Sequence, residues 1–79
     1  MTDMFWVEAR DSGDEQWKRS EKPFIAREAR SRMISMAALM LGTGWKAIGM
    51  NRNSITVMNP DDVARKTQFR MRKAAQHGQ

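Results

Sequence analysis

The chain has 79 residues, a formal charge of +5, no cysteine, one histidine, three tryptophans and eight methionines. A domain of this size removes only about 60–65% of its unfolded surface from water, enough for one helix on one sheet and no second core. The absence of cysteine excludes disulfides, thiolate nucleophiles and thiolate metal sites, and a lone tail histidine, His77, supplies neither a Ser–His pair nor a multi-histidine metal set. No enzyme activity, cofactor or metal is therefore expected.

Phe5, Val7 and Ala9 alternate with Trp6, Glu8 and Arg10, the period-2 pattern of a half-buried strand. Asp11-Ser12-Gly13-Asp14 is a turn by composition. Glu15 to Arg19 then returns as a short exposed strand, with Trp17 on one face and Gln16 and Lys18 on the other.

The segment from Pro23 to Leu41 reads as the central helix. Ile25, Ala29, Met33, Met36, Ala37 and Met40 recur at steps of three and four, while Arg27, Glu28, Ser31, Arg32 and Ser35 fall on the other side. Ser20 or Lys22 is expected to begin this helix, with Pro23 in its first turn, where a missing N–H costs nothing. Gly42-Thr43-Gly44 is expected to end it. Met36 to Leu41 is apolar nearly all round, which predicts deeper burial or contact with a partner.

Trp45–Met50 and Ile55–Met58 flank Asn51-Arg52-Asn53-Ser54, whose asparagines tolerate left-handed conformations, and together they predict a second hairpin. Ile48 and Met50 oppose Ala47 and Gly49, and Ile55 and Val57 oppose Thr56 and Met58; either set can face inward. Gly49 suggests a bulge. Asn59-Pro60-Asp61-Asp62 fits a turn or the capped start of a helix. Alternation of Thr67, Phe69 and Met71 with Gln68, Arg70 and Arg72 favours a strand, whereas Val63, Thr67, Met71 and Ala74 fit a helical stripe. The preferred reading is one helical turn at Asp61–Arg65, a strand at Thr67–Lys73, and fraying from Ala74 to Gln79. The order is β-β-α-β-β with an added edge strand: an α+β fold in which one amphipathic helix covers one face of an antiparallel sheet.

Charge is unevenly spread. Asp3, Glu8, Asp11, Asp14 and Glu15 stand against Arg10 alone in the first seventeen residues, after which Lys18, Arg19, Lys22, Arg27, Arg30 and Arg32 stand against Glu21 and Glu28. Arg65, Lys66, Arg70, Arg72 and Lys73 follow near the C-terminus, against Asp61 and Asp62.

Three candidate surfaces result. Arg27, Arg30 and Arg32 with Lys18, Arg19 and Lys22 beside Trp17 can neutralise phosphates and stack a base, or can be a solvated helix face. Gln68, Arg70 and Arg72 can be a polar sheet face that binds nucleic acid, or an edge protected by charge, which is preferred. Asp11, Asp14 and Glu15 can mimic phosphates, meet a basic groove on a partner protein, or serve turn chemistry alone, which is preferred. Trp17, flanked by charge, is the expected interface anchor, and capping accounts for Asp61 and Asp62 without metal. No apolar run is long enough to span a membrane and the N-terminus lacks signal-peptide features, so a soluble, cytoplasmic protein is expected.

A cysteine-free chain of this size, with a leading hairpin, a Met- and Ala-rich helix and the run WKAIGMNRNSITVMNPDDV, resembles the small phage-encoded anti-CRISPR proteins that inhibit type I systems. The resemblance covers about residues 4–73 and rests on element order and texture; the basic charge departs from the acidity of many such inhibitors. It implies stoichiometric, non-catalytic binding to a host complex, a Cas surveillance or nuclease protein, inside an infected bacterium. Partner-binding residues would then be Trp17, Lys18, Arg19, Arg27, Arg30, Asp11, Asp14 and Glu15. The alternatives are a small basic nucleic-acid-binding or regulatory module, using Arg27, Arg30, Arg70 and Arg72, and a subunit that pairs with itself.

Overall fold

The computed structural model describes residues 2–75. In chain order they form β1 (Met4–Asp11), β2 (Lys18–Arg19), β3 (Phe24–Ile25), α1 (Ala26–Leu41), β4 (Lys46–Asn51), β5 (Ser54–Asn59) and β6 (Asp62–Lys73). The strands make one antiparallel sheet in the order β2-β1-β6-β5-β4, and β3 shares the outer edge of β1 with β2. The fold is α+β, as its alternating and helical patterns predict.

Alternation decides which side chains meet the helix. Val7 of β1, Ile55 and Val57 of β5, and Phe69 and Met71 of β6 project to one face, where Ala29, Met33 and Ala37 of α1 and Phe24 close the core. The alanines on either side of Met33 let the helix sit close to the sheet, and Met33 itself is 1% exposed. Each large apolar side chain so buried contributes roughly 1.5–3 kcal/mol. Phe5, Ala9, Met36, Met40 and Trp45 pack around this centre.

Several expectations are corrected. The helix starts at Ala26 rather than near Pro23, because Phe24 and Ile25 instead pair with Phe5 and Met4. Ser20 does not begin it: its hydroxyl accepts from the Val7 N–H at 3.2 Å and donates to the Lys22 carbonyl at 2.8 Å. The second strand shrinks to Lys18–Arg19, leaving Trp17 outside it. The apolar end of the helix is not more deeply buried, for Leu39 is 75% and Leu41 38% exposed. At the helix terminus Gly42 remains right-handed and Gly44, at φ +99°, takes the left-handed turn.

The hairpin between β4 and β5 turns on Arg52-Asn53 without left-handed asparagine; Asn51 Oδ1 accepts from the Asn53 N–H at 2.9 Å instead. Ile55 and Val57 face inward, and the register of β4 shifts between Ala47 and Gly49, the bulge that glycine suggested. No helical turn forms at Asp61–Arg65. Asn59 Oδ1 accepts from the Asp61 N–H and Asp62 Oδ1 from the Ala64 N–H, so a tight turn leads straight into β6. β6 is also not an edge: it lies between β1 and β5 at the centre of the sheet. Ala74, expected to fray, donates its N–H to the Met4 carbonyl at 2.8 Å. Residues 76–79, with His77, lie outside the described residues.

Candidate functional site

The face of the sheet turned away from α1 carries Trp6, Glu8 and Arg10 from β1, and opposite them Arg72, Arg70 and Gln68 from β6. Arg19 stands opposite Glu8 on the other side. By the same alternation Lys66 of β6, Thr56 and Met58 of β5 and Lys46 of β4 share this face. No helix covers it.

Its centre is Glu8, 2% exposed although it lies on the open face. Arg70 Nε donates to one carboxylate oxygen at 2.7 Å and Arg19 Nε to the other at 2.9 Å. Burial by itself raises the carboxyl, but the two charge-assisted hydrogen bonds and the fields of Arg70 and Arg19 outweigh it and hold Glu8 below the ordinary carboxylate value. The guanidiniums are in turn held by aromatic rings. Arg70 lies 3.7 Å and Arg10 4.6 Å from the centre of Trp17, and Arg19 lies 4.7 Å from that of Trp6. Arg10 Nη2 also donates to Gln68 Oε1 at 3.1 Å. One carboxylate and two indoles thus fix three arginines on an uncovered surface, with Arg72, Lys66 and Lys46 exposed around them.

The expected grouping of Trp17 with the helix cations does not occur. Trp17 is half-buried on the open face, where its ring lies against Arg70 and Arg10 instead. Arg27 and Arg30 belong to α1 on the other side of the sheet, where Arg30 Nε donates to the Arg52 carbonyl at 3.3 Å and ties the helix to the β4–β5 turn. Arg32 pairs with Glu28 at 3.7 Å and lies 4.1 Å from the Phe24 ring. Lys18 faces the helix side, with Lys22 and Arg32, at the rim of a cleft of about 890 Å³ floored by Val7, Phe24 and Met36. Only Arg19 of that group joins the open face.

Of the acidic residues, Asp11 accepts from the buried Thr67 hydroxyl at 2.6 Å and its carbonyl accepts from the Asp14 N–H, so it is spent on the turn. Asp14 and Glu15 are exposed at one end of the open face, where Asp14 shares a depression of about 410 Å³ with Arg10, Lys66 and Gln68. Sequence reasoning misses Glu8 as a site residue. The hairpin turn alone places it opposite Arg19; its second partner, Arg70, depends on a pairing 62 residues apart. Among the described residues no group of three His, Cys, Asp or Glu is placed to hold a metal, and no helix is long and apolar enough to cross a membrane.

No known protein family, curated protein or solved structure matches the chain.

Proposed function

We propose that the chain is a non-catalytic nucleic-acid-binding module that grips the phosphodiester backbone with the open face of its sheet. The observation that carries this reading is the fixed arginine array: Arg10, Arg19 and Arg70 are held by Glu8, Trp6 and Trp17, and Arg72, Lys66 and Lys46 extend the positive surface around them. Nε–H of Arg19 and Arg70 is used by Glu8, which leaves the terminal nitrogens to a phosphate. A side chain already immobilised loses less entropy when it binds. Since the indoles are occupied by cations, contact goes to the backbone rather than to stacked bases, and the face is read as sequence-tolerant.

Fluorescence anisotropy with a labelled single strand and a labelled duplex tests it. Arg72→Glu with Lys66→Glu, which leaves the Glu8 clamp untouched, is expected to weaken binding at least tenfold, whereas Arg27→Glu with Arg30→Glu on the helix changes it little. Binding lost only in the helix variant contradicts the assignment of the face, and the two probes report whether single or double strands are preferred.

A second reading, an inhibitor that docks on a host protein complex such as a CRISPR effector, draws support from a specific feature. Asp14 and Glu15 border the cationic face, and a surface of both signs complements a mixed protein surface better than a uniformly anionic strand. Under that reading a tagged copy retains a protein partner from bacterial lysate after nuclease treatment, and the pair survives salt that dissociates nucleic acid.

A further inference from the structure

The two edges of the sheet are built differently, and from that difference we propose that β4 pairs antiparallel with β4 of a second copy of this chain about a two-fold axis. On one edge β2 is two residues long, both cations, and β3 pairs with Met4 and Phe5 of β1 further along. Short, charged edges resist stray pairing. On the other edge β4 has six residues, all exposed, of which only Lys46 is charged and none is proline. Apart from Lys46 and the bulge between Ala47 and Gly49, its outward N–H and C=O groups form a template without such protections.

Exposed apolar surface gathers at the same edge. Met50 is 68% and Ile48 49% exposed, and Ile34, 50% exposed, lines a shallow cleft with Met50, Ile55 and Arg30. Leu41, seven residues beyond Ile34, lies on the same helix flank. The helix packs on β1, β5 and β6 and leaves β4 largely uncovered.

The sequence of β4 is compatible with its own antiparallel copy. Pairing centred between Ile48 and Gly49 sets Lys46 opposite Asn51 of the second copy, Ala47 opposite Met50, and Ile48 opposite Gly49. No like charges face one another. The bulged Ile48 meets a residue without a side chain. Such an edge buries less than the roughly 1,600 Å² of a standard interface, so the dimer is reversible and concentration-dependent. It would join two open faces into one continuous sheet, yet it requires nothing of what those faces bind.

Sedimentation equilibrium over about two decades of protein concentration tests the pairing. The average mass is expected to rise from 9.1 kDa towards twice that value and to stop there. Ile48→Lys with Met50→Lys adds charge at exposed positions and is expected to hold the mass at the monomer value with an unchanged far-UV circular dichroism spectrum; Met50→Lys alone should weaken association at least tenfold. Leu39→Lys, on the other helix flank, should dimerise normally. A wild-type protein that stays monomeric, a dimer that survives the lysine pair, or a mass that climbs past two copies overturns the proposal.

Discussion

Glu8 is the residue on which the open face depends. Its two arginine partners are 30% and 46% exposed, so solvent screens part of what a fully buried triad would lose, and Glu8→Gln is expected to cost about 1–3 kcal/mol. The charge has a pH signature. A carboxyl held below its ordinary value of 4.5 stabilises the fold fully above that value, and the stabilisation is lost as pH falls through the lower native value. Urea denaturation of wild type and Glu8→Gln at about pH 7 and about pH 3 should therefore show the difference between them shrinking in acid. A gap that stays constant would mean that the carboxylate charge contributes nothing.

The glycines after the helix give a second residue-scale contrast. Gly44 holds φ +99°, and a β-carbon added there would meet no atom within 4 Å, so Gly44→Ala carries only the conformational penalty, about 1–2 kcal/mol. Gly42 is right-handed, and its replacement by alanine should change the melting temperature little. Equal losses at both positions would contradict the left-handed assignment to Gly44.

At the scale of elements, what was legible followed from local periodicity. Val7 and its alternating neighbours declared β1, the stripe of Ala29, Met33 and Ala37 declared the buried face of α1, and Gly49 declared the bulge in β4. What was not legible depended on partners distant in sequence. Phe24 and Ile25 fit a helix by spacing, but the free edge of β1 takes them as a strand. Pro60-Asp61-Asp62 fits a helix start by composition, but Asp62 pairs with Asn59 and Lys66–Arg70 with the rest of β5, while β1 pairs with Thr67–Lys73, so the chain leaves the turn already as a strand. The same central placement turned Arg70 and Arg72 from edge guards into the middle of an open face. The neighbours of Trp17 are Arg70 and Arg10, not the helix cations, because a residue's position in sequence does not say on which side of a sheet its loop folds.

For the whole molecule, one helix covers one face, and six of the fourteen lysines and arginines, Arg10, Arg19, Arg70, Arg72, Lys66 and Lys46, lie on the other. An extent of 47 × 24 × 19 Å gives that face a long, shallow surface rather than an enclosed pocket, a shape that suits an extended polyanion more than a small substrate. Electrostatic attraction of this kind has a thermodynamic fingerprint, because each phosphate neutralised releases counterions. The most direct measurement is the affinity for a short oligonucleotide of arbitrary sequence across a salt series. With about three to five phosphates engaged, log K should fall against log salt with a slope of about −2 to −4, and Arg72→Glu with Lys66→Glu should make it shallower by at least about one. No binding at low salt, or an affinity indifferent to salt, would contradict the reading of the open face as a phosphate grip.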